Sequence, residues 1–325
     1  MGILERVSRR AGGRIAEGFF RGMSGLGQLH PRARPARHGV EVIRDVPYLP
    51  TGSKEHHLDV YRPTAHRGAR LPALLYIHGG GFHILSKDTH WVMGIALARA
   101  RFVVFSINYR LAPQHRFPAA IEDVCDAYAW VVRNAHEYGA DASKLVVAGE
   151  SAGGNLTAAV TIAACYRRDE PYAKRVFDTG VVPCAAMPAC ALFQVTDTRR
   201  FKRRRPDMLK FVADRVEEVG AIYLGSMDVV PGSRRELDLC DPVLVIERRE
   251  KSDRPLPPFF LPCGTADPLL DDNRRMASAL RAMNVEVDER YYPGEMHAFH
   301  AFVFRPQAKQ CWNHTYAFLD QHVPR

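Results

Sequence analysis

The chemistry of this chain is most visible at a serine flanked by glycines two positions away on either side, Gly149-Glu150-Ser151-Ala152-Gly153. The apolar run Lys144–Ala148 precedes it, and a helical stretch, Ala152 to Tyr166, follows. A serine on a sharp strand-to-helix turn projects its hydroxyl clear of a sheet, where it can attack an acyl carbon. Gly149 and Gly153 let the backbone make that turn. The helix that starts behind Ser151 favours negative charge nearby. A second signal, His78-Gly79-Gly80-Gly81, closes another apolar run, Leu71–Ile77. Its glycines leave backbone N–H groups of Gly80 and Gly81 unshielded. With the N–H of Ala152 they could hold a developing oxyanion.

A serine nucleophile needs a base, and the base needs an orienting carboxylate. Gly294-Glu295-Met296-His297-Ala298-Phe299 follows the last expected strand, Val285–Tyr292, where such a base belongs. His297 is preferred, with His300 a rival three residues on. Asp267, Asp271 and Asp272 follow the strand Phe259–Pro262. Asp267 comes first after the strand and is the preferred partner. Asp271 and Asp272 are expected to cap the next helix, a structural role. His56-His57 reads as a surface strand feature and not a ligand pair.

These residues must be positioned by a scaffold. Val40–Leu49 and Leu58–Tyr61 alternate partly between apolar and polar, as half-exposed antiparallel strands do. Leu71–Ile77, Phe102–Ile107, Lys144–Ala148, Gly180–Ala191, Phe259–Pro262 and Val285–Tyr292 are the further expected strands. Helices are expected to end near Ala100 and over Ala119–Ala135, Ala152–Tyr166, Asp272–Met283 and Pro306–Gln321. Continuous apolar strands alternating with helices indicate a mostly parallel sheet covered on both faces, an α/β fold. The alternation pauses between 193 and 240. There a basic run, Arg199 to Arg205, precedes a helical stripe of Leu209, Val212, Val216, Val219 and Tyr223, which resembles a lid.

Composition excludes other classes. The 325 residues are 46% hydrophobic and 25% charged, the balance of a globular protein. No run approaches the ~18 apolar residues of a spanning helix. Seven cysteines without CxxC pairs argue against a disulfide framework or zinc module. They point to a reduced, cytoplasmic setting. The net charge of +9 is concentrated: residues 1–37 hold eight arginines against Glu5 and Glu17. That segment lacks the apolar run of about 7–15 residues in a secretory signal. Arg6 stands where a myristoylation signal needs Ser or Thr. Ile15, Phe19, Phe20, Met23 and Leu26 instead fit a basic amphipathic helix. Packing on the body is the first reading of it, and weak contact with a membrane surface the second. No aromatic-basic platform supports nucleic-acid binding.

Taken together, the motifs resemble the hormone-sensitive-lipase-like esterases of the α/β-hydrolase superfamily. The matching pieces are His78-Gly79-Gly80-Gly81-Phe82, Tyr109-Arg110-Leu111-Ala112-Pro113 with Phe117-Pro118-Ala119-Ala120, and Gly149 to Asn155. Asp267-Pro268-Leu269-Leu270-Asp271 and Gly294-x-x-His297-x-Phe299 follow in the family's order. The resemblance spans roughly residues 40–320. It implies an α/β-hydrolase fold with a mostly parallel sheet of about eight strands and a helical cap. It further implies Ser151 as nucleophile, His297 as base, Asp267 as its partner, and Gly80, Gly81 and Ala152 as oxyanion donors. The expected organisation is a cap segment at 1–40, core at 41–192, a cap insertion at 193–240 and core at 241–325.

The implied activity is hydrolysis of short-to-medium acyl esters of a small alcohol, with no metal or organic cofactor. Other acyl bonds (aryl-formamide, acetylated compound, lactone) and an interfacial lipase are the alternatives. Non-catalytic relatives lack the histidine that is present here. A homodimer through edge strands is a family-level implication only. Glu150 stands where the family usually has Asp, keeping the carboxylate. Gln114 replaces a common Glu. Pro183–Cys190 and the basic lid match the family poorly, and both would line the acyl and alcohol pockets.

Overall fold

The computed structural model describes residues 33–66, 68, 70–205, 208–225 and 235–324, together with 18, 22, 24, 25, 27, 28 and 30. The amphipathic stripe expected at Ile15 to Leu26 lies on residues outside this set. Among the described residues no helix is long and apolar enough to cross a membrane.

Eight strands form one sheet: β1 (Val40–Pro47), β2 (His57–Pro63), β3 (Leu71–Ile77), β4 (Val103–Ile107), β5 (Ala140–Glu150), β6 (Ala185–Ala189), β7 (Phe259–Gly264) and β8 (Val287–Tyr292). Their spatial order is β1-β2-β4-β3-β5-β6-β7-β8. β1 pairs antiparallel with β2, and β2 antiparallel with β4; every later pairing is parallel. β1 is the half-exposed antiparallel edge, whereas Leu58–Tyr61 of β2, expected to be half-exposed, is buried because β2 lies between β1 and β4.

Helices cover both faces, which is why the central strands are apolar throughout. Leu75, Ile77 and Val147 face one core with α2 (Ala119–Asn134) and α3 (Ala152–Cys165). The alternate residues Leu74, Tyr76, Val146 and Ala148 face a second core with α1 (Trp91–Arg99) and the last helix, α9 (Pro306–His322). Between them in sequence lie α4 (Pro171–Asp178), α5 (Arg200–Arg204), α6 (Lys210–Leu224), α7 (Pro242–Glu247) and α8 (Leu270–Arg281). α4, α5 and α7 are additions to the expected elements. α4 and α7 each open on a proline at the first helical turn, a position where the missing N–H costs nothing. β6 is shorter than the expected Gly180–Ala191, because residues 180–184 approach it as irregular chain.

Two expectations about polar residues are corrected. Within the basic run Arg200 is buried and doubly engaged with Asp272, Nε lying 3.1 Å from Oδ1 and Nη2 in contact with Oδ2. Asp272 does not cap α8, whose N-cap is Leu269 without a side-chain cap. The carboxylate instead accepts from the N–H groups of Phe193 and Gln194, at 2.9 and 3.3 Å. Arg200 and Asp272 therefore pin the start of the 193–240 segment to the core. His56, expected on the surface, is buried with Nε2 3.3 Å from Asp123.

Candidate active site

The parallel strands end side by side, and their C-terminal loops carry the expected site residues. β3 leads into His78–Gly81, β5 into Ser151, β7 into Asp267 and β8 into His297. Ser151 sits at φ 55°, ψ −119°, immediately before α3. Its N–H donates to Ala189 O at 2.9 Å, which ties the turn to the end of β6. The strained backbone persists because the turn is packed shut. A Cβ on Gly153 would lie 2.1 Å from Ile77 O and 2.5 Å from His78 O. Glycine at that position lets α3 approach β3.

His297 Nδ1 donates to Asp267 Oδ2 at 2.9 Å. Asp267 is fully buried, and its other oxygen accepts from Leu269 N–H at 2.8 Å. Burial alone would push the His297 imidazole down. Asp267 and the neighbouring Cys190 outweigh it and hold His297 well above the ordinary imidazole range. The donated Nδ1 proton leaves Nε2 as the nitrogen able to accept one. Cys190 is the neighbour that sequence reasoning missed; among seven unpaired thiols nothing singled it out.

The glycine loop turns through positive φ at Gly80 and Gly81. Gly80 has φ 120°, and a Cβ there would meet Ile84 O at 2.0 Å. Among the described residues no backbone carbonyl accepts from Gly80 or Gly81 N–H. Ala152 N–H belongs to the first turn of α3, whose amides have no partner within the helix. His78 faces inward, stacked on Tyr109 with ring centroids 4.3 Å apart. Burial pushes its pKa down to about 3, so it stays neutral. Its Nδ1 donates to Gly79 O at 2.7 Å, fixing the loop.

Glu150 is buried and faces two histidines: His90 Nε2 is 2.9 Å from Oε1, and His300 Nε2 is 2.7 Å from Oε2. Burial would raise this carboxyl, but His300 and His90 hold it well below its usual range. His300, the rival base, is thus engaged behind the nucleophile and does not reach Asp267. The carboxylate links the loop after β3, the elbow and the loop after β8, a role the sequence pattern showed only as Glu in place of Asp.

A cavity of about 620 Å³ opens above these groups. Gly79, Gly80, Gly81, Ser151, Ala152 and His297 line its floor. Its walls are mostly apolar, with Leu85, Trp91, Leu192 and Phe302 among them and Val216 and Val219 contributed by α6. Ser24 and Gly27 reach it from the N-terminal segment. Ser24 also accepts from Trp91 Nε1 at 3.2 Å. The volume falls within the ~300–1,000 Å³ of small-molecule sites.

Comparison with known proteins places the chain in a family. The α/β hydrolase fold family matches residues 74–301. The esterase LipI of Mycobacterium tuberculosis is 31% identical over 264 residues, 80% of this chain and 73% of its own. The carboxylesterase NlhH of the same species is 34% identical over 244 residues, 74% of this chain and 70% of its own. A solved esterase from the bacterial hormone-sensitive lipase family superposes with a TM-score of 0.68 at 25% identity, over 95% of this chain and 91% of that one. The chain belongs to the α/β-hydrolase fold family and, within it, to the esterases of the hormone-sensitive-lipase type.

Proposed function

We propose that this protein hydrolyses carboxylic esters of small, largely apolar molecules through Ser151, His297 and Asp267. The observation that carries the reading is the His297–Asp267 pair, 2.9 Å apart, beneath a cavity whose floor also holds Ser151 and the glycine loop. Ser151 attacks the ester carbonyl while His297 Nε2 takes its proton. Asp267 stabilises the imidazolium that forms. The N–H groups of Gly80, Gly81 and Ala152 receive the oxyanion. The imidazolium then protonates the departing alcohol, and water attacks the acyl-enzyme with His297 as base.

Relatives named esterase and carboxylesterase support the reaction class. The apolar walls support an apolar acyl or alcohol group, and the cap assignment of residues 1–40 and 193–240 is part of the same reading. Seven free thiols support a cytoplasmic setting. The test is hydrolysis of nitrophenyl esters from two to sixteen acyl carbons, wild type beside Ser151→Ala. A short-to-medium optimum that vanishes in the variant is expected. Equal rates in the two proteins would refute the assignment.

A second reading, action at a lipid surface, draws on one observation: Met296 and Phe304 line the pocket yet stand exposed at 54% and 73%. Activity that rises on adding anionic vesicles would favour it over a soluble-substrate esterase.

A further inference from the structure

Three adjacent parallel strands end beneath the pocket, and each delivers one metal-ligating side chain to the same place. Cys190 follows β6, Asp267 follows β7 and His297 follows β8. A thiol sulfur, a carboxylate oxygen and a ring nitrogen lie within 4.8 Å of one another. Ester hydrolysis accounts for the second and third of these groups. It needs no thiol.

Cys190 is held firmly where it is. Its backbone is left-handed, with φ 38°. Its N–H donates to Pro262 O at 3.0 Å, and the carbonyl of Ala189 before it accepts from Ser151 N–H. The nucleophile turn and the neighbouring strand therefore fix both sides of the residue. Cys190 and Asp267 are buried, whereas the His297 side chain keeps 33% of its exposure and lines the pocket. An ion entering through the pocket would meet the imidazole first.

We propose that Cys190, Asp267 and His297 form a site for a thiophilic divalent cation of the zinc type, and that filling it switches hydrolysis off. One sulfur, one nitrogen and one oxygen ligand suit a four-coordinate zinc ion with water in the fourth position. Calcium and magnesium prefer six or more oxygen ligands and are poorly served by such a set. Zinc–ligand bonds of about 2.0–2.3 Å place neighbouring tetrahedral ligand atoms roughly 3.3–3.6 Å apart. The cluster closes on an ion by displacements of about an ångström. On binding, the Cys190 S–H bond breaks, its proton leaves to solvent, and the sulfur binds the metal. The imidazole spends a nitrogen lone pair on the metal, whichever ring nitrogen is used. If Nδ1 binds, its proton is given up and the neutral ring carries its one proton on Nε2, which then cannot accept another; if Nε2 binds, its lone pair is taken. In both cases Ser151 loses its base. The inhibition rests on the triad reading above; the binding does not.

The test uses cobalt(II) as probe on the purified full chain, in a Ser151→Ala background that removes any dependence on turnover. One equivalent should produce the near-ultraviolet thiolate-to-cobalt band and the strong visible bands of four-coordinate cobalt. Zinc should displace it. Cys190→Ala, and Cys190→Ser as the better-packed variant, should lose the band and at least about tenfold in affinity. With Ser151 restored, zinc should inhibit ester hydrolysis reversibly by chelator, and each Cys190 variant should need at least about tenfold more zinc to halve its own metal-free rate. A folded wild type without the band, or a band that persists in both Cys190 variants, overturns the site. A band without hydrolysis of any ester sustains the site and sinks the esterase reading instead.

Discussion

Arg200→Met tests how the segment over the pocket is held down. Arg200 and Asp272 have side chains only 4% and 1% exposed. Arg200 Nη1 also donates to the carbonyls of Gln194 and Asp197, at 2.7 and 2.5 Å. Methionine keeps much of the apolar stem but removes the guanidinium, whose Cζ lies 4.3 Å from the Phe201 ring centroid. Asp272 is then left as a buried carboxylate with, among the described residues, only the amides of Phe193 and Gln194 as donors. Removing one partner of a buried ion pair costs about 3–5 kcal/mol. At roughly 2–4 °C per kcal/mol in larger domains, that is a fall of about 6–20 °C in Tm. The loss falls on the segment leading to α5 and α6, and α6 walls the pocket through Val216 and Val219. KM for a nitrophenyl ester should therefore rise more than kcat falls. Differential scanning calorimetry and steady-state kinetics on Arg200→Met measure both. A change in Tm below about 2 °C with unchanged KM would refute the idea that this pair anchors the segment.

Other outcomes follow from the site. Asp267→Asn should lower kcat by about 10⁴ with little change in fold, since the carboxylate sets the tautomer and stabilises the imidazolium; circular dichroism beside the rate constant checks it. Gly80→Ala should cost at least about 10² in kcat, because the new Cβ would lie 2.0 Å from Ile84 O and displace the glycine loop. Activity should increase with pH through an inflection above 6.5, because His297 must be neutral to act and its folded value is raised; a pH–rate profile of kcat/KM that inflects below 6 would contradict this. For stability, burial would lower His90, but Glu150 raises it above 6.5, so its contribution is full below 6.5 and fades as pH climbs through the folded value. Glu150 is depressed below 4.5, so its contribution is full above 4.5 and fades as pH falls through the folded value. The Tm difference between wild type and Glu150→Gln should therefore be largest between these limits, and a flat difference from pH 3 to 9 would count against the paired cluster.

Local signals carried most of the fold and site into the sequence. A continuous apolar strand followed by glycines at fixed offsets is enough to place Ser151 and Gly80 on loops at strand ends, because the geometry is set within ten residues of chain. The dyad of Asp267 and His297 was legible because topology brings the ends of β7 and β8 together. Arg200 was not, since its partner lies 72 residues away and a run of basic residues looks solvated in one dimension. Lys87 is hidden in the same way: it is buried against Asp45 and Asp59, both at 2.8 Å, from two separate strands. Glu150 showed only as a carboxylate beside the nucleophile, while its two histidine partners come from distant loops. Cys190 has no spacing signature, because its neighbours are assembled by strand order alone.

The most direct test of the central claim is covalent. A fluorophosphonate ester, which traps an activated serine, should add one adduct to the intact mass of the wild-type chain, mapped by peptide mass to Ser151. Ser151→Ala should take up none, and His297→Ala should label far more slowly. An adduct at another serine, or equal labelling rates in wild type and His297→Ala, would contradict the account.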